Sequence, residues 1–140
     1  MDKSQWFIDW TDQPGFGVAE MDAADRRLFA QVNTFNEAIV NGRHEQAIHY
    51  VFDKLMQDAS LHFRHEEQFF SQVGYPLLKG HAALHRQMTA ELRNVKEELR
   101  RTEDRATWME CGLLVRQLFV DHTLRETKVY RSLPRTGDRA

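Results

Sequence analysis

The sequence contains little that would interrupt helices or crosslink the chain. Its 140 residues include only three prolines, seven glycines and one cysteine, Cys111. A single cysteine excludes an internal disulfide and gives no thiolate signal for an iron–sulfur cluster. Because proline and glycine are scarce, long segments run without a break, which favours helices.

Long apolar runs and an excess of charge of one sign are also missing. No run reaches about 18 apolar residues, so the sequence predicts no membrane-spanning helix. The net charge of -2 gives no reason to expect nucleic acid or an anionic membrane as a partner. The N-terminal MDKSQWFIDW lacks the basic start and apolar stretch of a signal peptide. We therefore expect a cytoplasmic protein, whose protein partners the sequence does not identify.

Four segments carry apolar residues at alternating steps of three and four, which is the helical period. The predicted helices cover about residues 22–41, 44–72, 78–103 and 106–131 of a single domain spanning residues 1–140. The short connections favour an all-α, up-down-up-down antiparallel four-helix bundle. Before the first helix, residues 1–20 are expected to form an irregular arm anchored by tryptophans.

Histidines and a glutamate lie on these apolar faces near one end of the predicted bundle. His62 and Glu66 lie near the end of the second helix. His81 and His85 lie near the start of the third, and His122 lies near the end of the fourth. These helix ends are neighbours in an antiparallel bundle, so we expect the five side chains to converge.

The converging residue types indicate a metal site. Residues four apart on a helix project from one face, so His62 and Glu66 form one pair, and His81 and His85 another. Neutral imidazole and carboxylate are ligands for iron, zinc or manganese. One inward histidine is usually a core residue with a hydrogen-bond partner. Four histidines beside an acid instead favour a metal, because burying them without one is costly.

Other polar residues are not predicted to join this site. His65 and Glu67 point away from the inward face of the second helix and are expected to be solvated. His44 and His49 are expected at the surface, near the start of that helix. Cys111 is expected to be a small core residue.

Several motifs extend the pattern over nearly the whole chain. They are H-F-x-x-E-E from His62, Y-P-x4-H-x3-H from Tyr75, the fourth-helix His122, and W-T-D-Q-P-G-F-G-V-A-E-M-D in the arm, leading into R-R-L-F. Together they resemble bacterial hemerythrin. The resemblance implies a four-helix bundle with a non-heme di-iron centre that binds oxygen reversibly. It also implies that one iron is held by His81, His85 and His122, and the other by His62, with Glu66 as a bridge.

Two ligands that the resemblance implies are replaced in this sequence. The first-helix histidine position is Asp25, and five residues after His122 the expected aspartate is Thr127, a poor iron bridge. Asp25 extends the first apolar stripe by one turn and can be a ligand, or it can cap the helix. Glu126, four residues after His122, can bridge the metals, or it can be a solvated acid. Both are candidate ligands.

The leading hypothesis is a non-heme iron protein that binds dioxygen or a related small ligand, as a carrier, store or sensor. Two iron ions are expected, with one iron, zinc or manganese as alternatives. Phe119, one turn before His122, is predicted either to restrict access of the small ligand or to pack against the first helix. One alternative is a carboxylate-rich oxidase or peroxidase. The other is a bundle with one metal or none that binds another protein.

Overall fold

The chain folds into four α-helices in a computed structural model that describes residues 6–9, 15–74 and 78–132. The helices are α1 (Ala19–Val40), α2 (Glu45–Gln72), α3 (Leu78–Arg101) and α4 (Arg105–Ser132). α1 and α3 each pack against both α2 and α4. The fold is the all-α four-helix bundle that the sequence predicts. Within the described ranges, no helix combines the length and apolar character needed to cross a membrane.

α1 begins at Ala19, earlier than the apolar stripe suggests. Its N-cap residue, Val18, has an extended backbone and offers no side-chain cap. Asp22 lies in the first turn, where its carboxylate accepts a hydrogen bond from the Phe16 N–H at 2.7 Å. Asp25 is therefore inside the helix and does not cap it.

One described part of the N-terminal arm, residues 6–9, is held against α1 by two asparagines. The Asn33 side chain accepts a bond from the Ile8 N–H at 2.6 Å and donates to the Ile8 carbonyl at 2.9 Å. Asn36 donates to the Trp6 carbonyl at 2.5 Å, and Trp6 is buried, as expected of an aromatic anchor. The predicted arm segments 1–5 and 10–14, with Trp10, lie outside the described residues, as do residues 75–77 of the turn before α3.

Apolar residues from all four helices form the main core, and a smaller apolar cluster lies apart from it. Phe35 of α1 and Phe52 of α2 are fully buried, with ring centroids 4.9 Å apart, and Leu92 and Trp108 close the core from α3 and α4. Cys111 is buried in the same core, as expected. Each fully buried large side chain stabilises the fold by about 1.5–3 kcal/mol. This apolar packing offsets the cost of a polar cluster near one end of the bundle.

Candidate metal centre

All seven candidate ligands meet inside the bundle. None of them exposes more than 9% of its surface. They come from all four helices and are Asp25 of α1, His62 and Glu66 of α2, His81 and His85 of α3, and His122 and Glu126 of α4. Charged and polar side chains this deeply buried need partners within the cluster.

The Glu66 carboxylate lies between two sets of donor atoms, because its two oxygens face different histidines. Oε2 lies 3.1 Å from Nε2 of His62. Oε1 lies 3.0 Å from Nε2 of His85 and 3.3 Å from Nε2 of His81. A carboxylate placed in this way can contact two cations at once.

The larger set, here called the three-histidine group, consists of Glu66, His81, His85, His122 and Glu126, with one donor atom from each. These five atoms all lie within 4.8 Å of one another. Metal–ligand distances of about 2.0–2.3 Å place any two ligands of one ion within about 4.6 Å of each other. The group is therefore close to the size that a single cation requires.

Glu126 belongs to this three-histidine group. Its Oε2 lies 2.6 Å from Nε2 of His122, 2.9 Å from Nε2 of His81 and 3.7 Å from Nε2 of His85. The residue is 4% exposed, so it is not the solvated acid that the sequence left as an alternative.

The smaller set, here called the Asp25 group, consists of Asp25, His62 and Glu66. Oδ1 of Asp25 lies 3.0 Å from Nε2 of His62. Among the described residues, the donor atoms of Asp25, His62 and Glu66 lie within 4.8 Å of one another, and Glu126 is not part of this group. Of the residues that the structure describes, Glu66 is therefore the one that both groups share, and the bridging role considered for Glu126 stays a prediction.

The hydrogen bonding of the cluster fits a cation. Within the described ranges, its buried atoms without a hydrogen-bond partner include Oδ2 of Asp25, Nδ1 of His122 and Oε1 of Glu126. Nε2 of His85 also lies only 3.2 Å from Nε2 of His122, so protons on both nitrogens would collide. A metal ion in the cluster would accept lone pairs from carboxylate oxygens and from the Nε2 atoms of His85 and His122, which removes this clash.

In the absence of metal, the histidines and carboxylates stabilise one another's charged forms. Burial disfavours the imidazolium of His62, but hydrogen bonds to Asp25 and Glu66 raise its pKa to about 10. Burial raises the pKa of Asp25 to about 6. Burial also acts against the Glu66 carboxylate, yet hydrogen bonds from the surrounding histidines hold its pKa well below the usual range. A metal must displace protons from the histidines, so its binding weakens as pH falls.

Glu67 contacts the ring nitrogen of His85 that does not face the other candidate ligands, although the sequence predicted a solvated Glu67. Its Oε2 is 3.1 Å from Nδ1 of His85. A carboxylate at one ring nitrogen fixes the tautomer and directs the other nitrogen towards the metal. Phe63 stacks on the same imidazole, with ring centroids 4.2 Å apart. The periodicity of α2 gave no signal for this contact, because the contact depends on how α3 packs against the side of α2.

Two further residues that the sequence singled out, Phe119 and Thr127, are fully buried near the candidate ligands. Phe119 is fully buried, and its ring centroid lies 6.4 Å from that of Phe63. The Thr127 hydroxyl donates to the Thr123 carbonyl at 2.9 Å. Thr127 is thus engaged with its own helix.

The remaining histidines lie away from the cluster. His65 is exposed, as expected. His44 is exposed and caps α2, its ring accepting a bond from the Gln46 N–H at 3.3 Å. His49 is half-buried rather than at the open surface, with its ring centroid 6.1 Å from the Trp108 ring.

Comparisons with known proteins agree with this arrangement. Residues 17–133 match the family model described as the hemerythrin HHE cation binding domain. Two similar proteins, both named Bacteriohemerythrin, come from Pseudomonas paraeruginosa (strain DSM 24068 / PA7) and Pseudomonas aeruginosa (strain LESB58). Each is 26% identical over 110 residues, which cover 79% of this chain and 71% of the relative. No solved structure gives a significant match.

Replacing His85 with alanine is expected to remove most of the bound metal. The substitution deletes a central donor of the three-histidine group and leaves Glu67 without its partner. Metal content per folded chain, measured after gel filtration, checks this result. His65→Ala is the matched control, since it removes an exposed histidine of α2 and should retain its metal. Full retention by His85→Ala would exclude His85 as a ligand.

Proposed function

Because the chain belongs to the hemerythrin HHE cation binding family, we propose that it is a non-heme iron protein that binds dioxygen or a related small ligand. The observation that supports this proposal most directly is the position of the Glu66 carboxylate between two sets of buried donors. One iron would be held by the three-histidine group. A second would be held by the Asp25 group, with Glu66 shared between them.

The surrounding residues supply orientation and exclude water. Iron held by these imidazoles and carboxylates would supply an oxidisable centre for a small ligand. Glu67 and Phe63 fix the His85 ring from two sides. Phe119, which is fully buried next to Phe63, adds an apolar wall that keeps water from that side.

A groove between α3 and α4 supplies a route for a small ligand. It has a volume of about 260 Å³ and is lined by Gly80, His81, Leu84, His122, Arg125, Glu126 and Val129. Three of these residues are candidate ligands, so the groove reaches the three-histidine group directly. Its aliphatic residues, Leu84 and Val129, suit a small neutral molecule such as dioxygen.

The carboxylate content of the cluster supports an oxidase or peroxidase as the second candidate function. Asp25, Glu66 and Glu126 are all buried in it, beside four histidines. Anionic ligands favour the higher charge state of a metal, since Coulomb attraction grows with metal charge in a buried site. A centre that oxidises readily is suited to redox chemistry on a small oxidant.

Iron-loaded protein is expected to retain iron through gel filtration and to show visible ligand-to-metal absorption in air. The His85→Ala protein, treated identically, should lack that absorption because its iron is lost. Retention of zinc alone, or of no metal, would contradict the proposal and favour a bundle that binds another protein. Turnover of added hydrogen peroxide by the iron form would instead favour the enzyme.

The reduced iron form is expected to oxidise quickly in air, because three carboxylates favour the ferric state. The variant Asp25→His should slow this oxidation, since it lowers the number of carboxylates in the cluster from three to two and restores the first-helix histidine that the hemerythrin resemblance implies. The rate is measured from the rise of ferric absorption after mixing with air. Glu20→Gln is the control, because it removes an exposed carboxylate of the same helix and should leave the rate unchanged. An unchanged rate in Asp25→His would remove Asp25 from the proposed ligands.

Phe119→Ala is expected to speed azide binding to the oxidised iron form if the phenyl ring restricts access. The deletion opens space next to Phe63 and removes no candidate ligand. Stopped-flow absorption measures the rate. Gly80→Phe is the comparison variant, because Gly80 lines the α3–α4 groove and a Cβ there meets no atom within 4 Å. If only Gly80→Phe changes the rate, by slowing it, the groove is the route and Phe119 is packing.

A further inference from the structure

We propose that the two metal positions load in order, so that the state of the centre depends on metal supply. The three-histidine group fills first, and the Asp25 group fills only when metal is plentiful. This inference rests on the proposed function and concerns the regulation of the same site.

The two groups differ in the number and type of donors. The three-histidine group offers three imidazole nitrogens and two carboxylate oxygens, all within 4.8 Å of one another. The Asp25 group offers one imidazole and two carboxylates, and one of these is the shared Glu66. A larger number of converging donor atoms gives one cation more coordinate bonds, while the entropy lost in ordering the side chains is similar. The three-histidine group is therefore the tighter site.

The distribution of charge favours the same order. Glu66 and Glu126 both face the three-histidine group, so together they neutralise a first divalent ion. Of the three carboxylates in the cluster, Asp25 is then the one that does not bind the first ion. A second divalent ion would give the cluster a net positive charge. The residues of the Asp25 group that would surround this ion are only 1–9% exposed. Uncompensated charge is costly where water does not reach it.

The shared carboxylate does not remove this penalty. Among the described residues, Glu66 alone belongs to both groups. A second carboxylate at position 127 would lower the repulsion between two cations, but this position is a threonine whose hydroxyl donates to the Thr123 carbonyl. The second ion therefore enters a site that the first ion has made less favourable.

Anaerobic titration of the metal-free full-length protein with Co²⁺, followed by calorimetry and by visible absorption, tests this order. We expect two phases, the second at least about tenfold weaker, a difference typical of losing ligand support. Asp25→Asn should abolish the weak phase and leave the tight one. Glu126→Gln should weaken the tight phase, whereas Thr127→Asp should strengthen the weak one. Circular dichroism verifies that each variant retains its helices.

Glu20→Gln is the matched control, because it removes one exposed carboxylate from the first turn of the same helix as Asp25. It should leave both phases unchanged. Two ions binding in one phase of equal affinity, or a loss of both phases in Asp25→Asn, would overturn the ordered loading while leaving the proposed function intact. A single ion per chain at all Co²⁺ concentrations would also overturn it. Absence of any binding would overturn the proposed function itself.

Discussion

The polar end of the bundle depends on the compensation of buried charge. Three carboxylates and four imidazoles lie in a space where water reaches at most 9% of any of these residues. In such surroundings each charge must face an opposite charge or a metal, and removing one member leaves the others without compensation. Glu66 is central to this balance because its two oxygens contact histidines of both groups. The apolar core towards the opposite end of the helices supplies the stability that lets the bundle hold such a cluster.

The sequence predicts the fold and the composition of the cluster for the same reason. Apolar residues at the helical period fix which face of each helix is inward, and residues such as His62 and Glu66 occupy positions on those faces. Once the helices run antiparallel, the depth of each position along its helix is determined. The convergence of the histidines from α2, α3 and α4 therefore follows from spacing alone.

The roles of the substituted positions could not be derived in the same way. Without a side-chain cap at Val18, the exact start of α1 is not marked in the sequence, so the pattern left Asp25 as either a ligand or a cap. The side of the cluster that Glu126 contacts depends on its side-chain rotamer, which periodicity does not determine. Glu67 contacts His85 across two helices, so that interaction depends on the packing of α3 against α2. These are all properties of tertiary packing rather than of local pattern.

We propose that this cluster is an iron centre built on Glu66. Crystals of the iron-loaded protein, measured at the iron absorption edge, would locate the metal in the anomalous difference map. We expect a strong peak at about 2.0–2.3 Å from Nε2 of His81, His85 and His122, a distance typical of protein metal ligands. We also expect that a Glu66 oxygen contacts the same peak and that any second peak lies beside Asp25 and His62. A map with no peak in the cluster, or with iron bound elsewhere on the chain, would exclude this cluster as the iron centre.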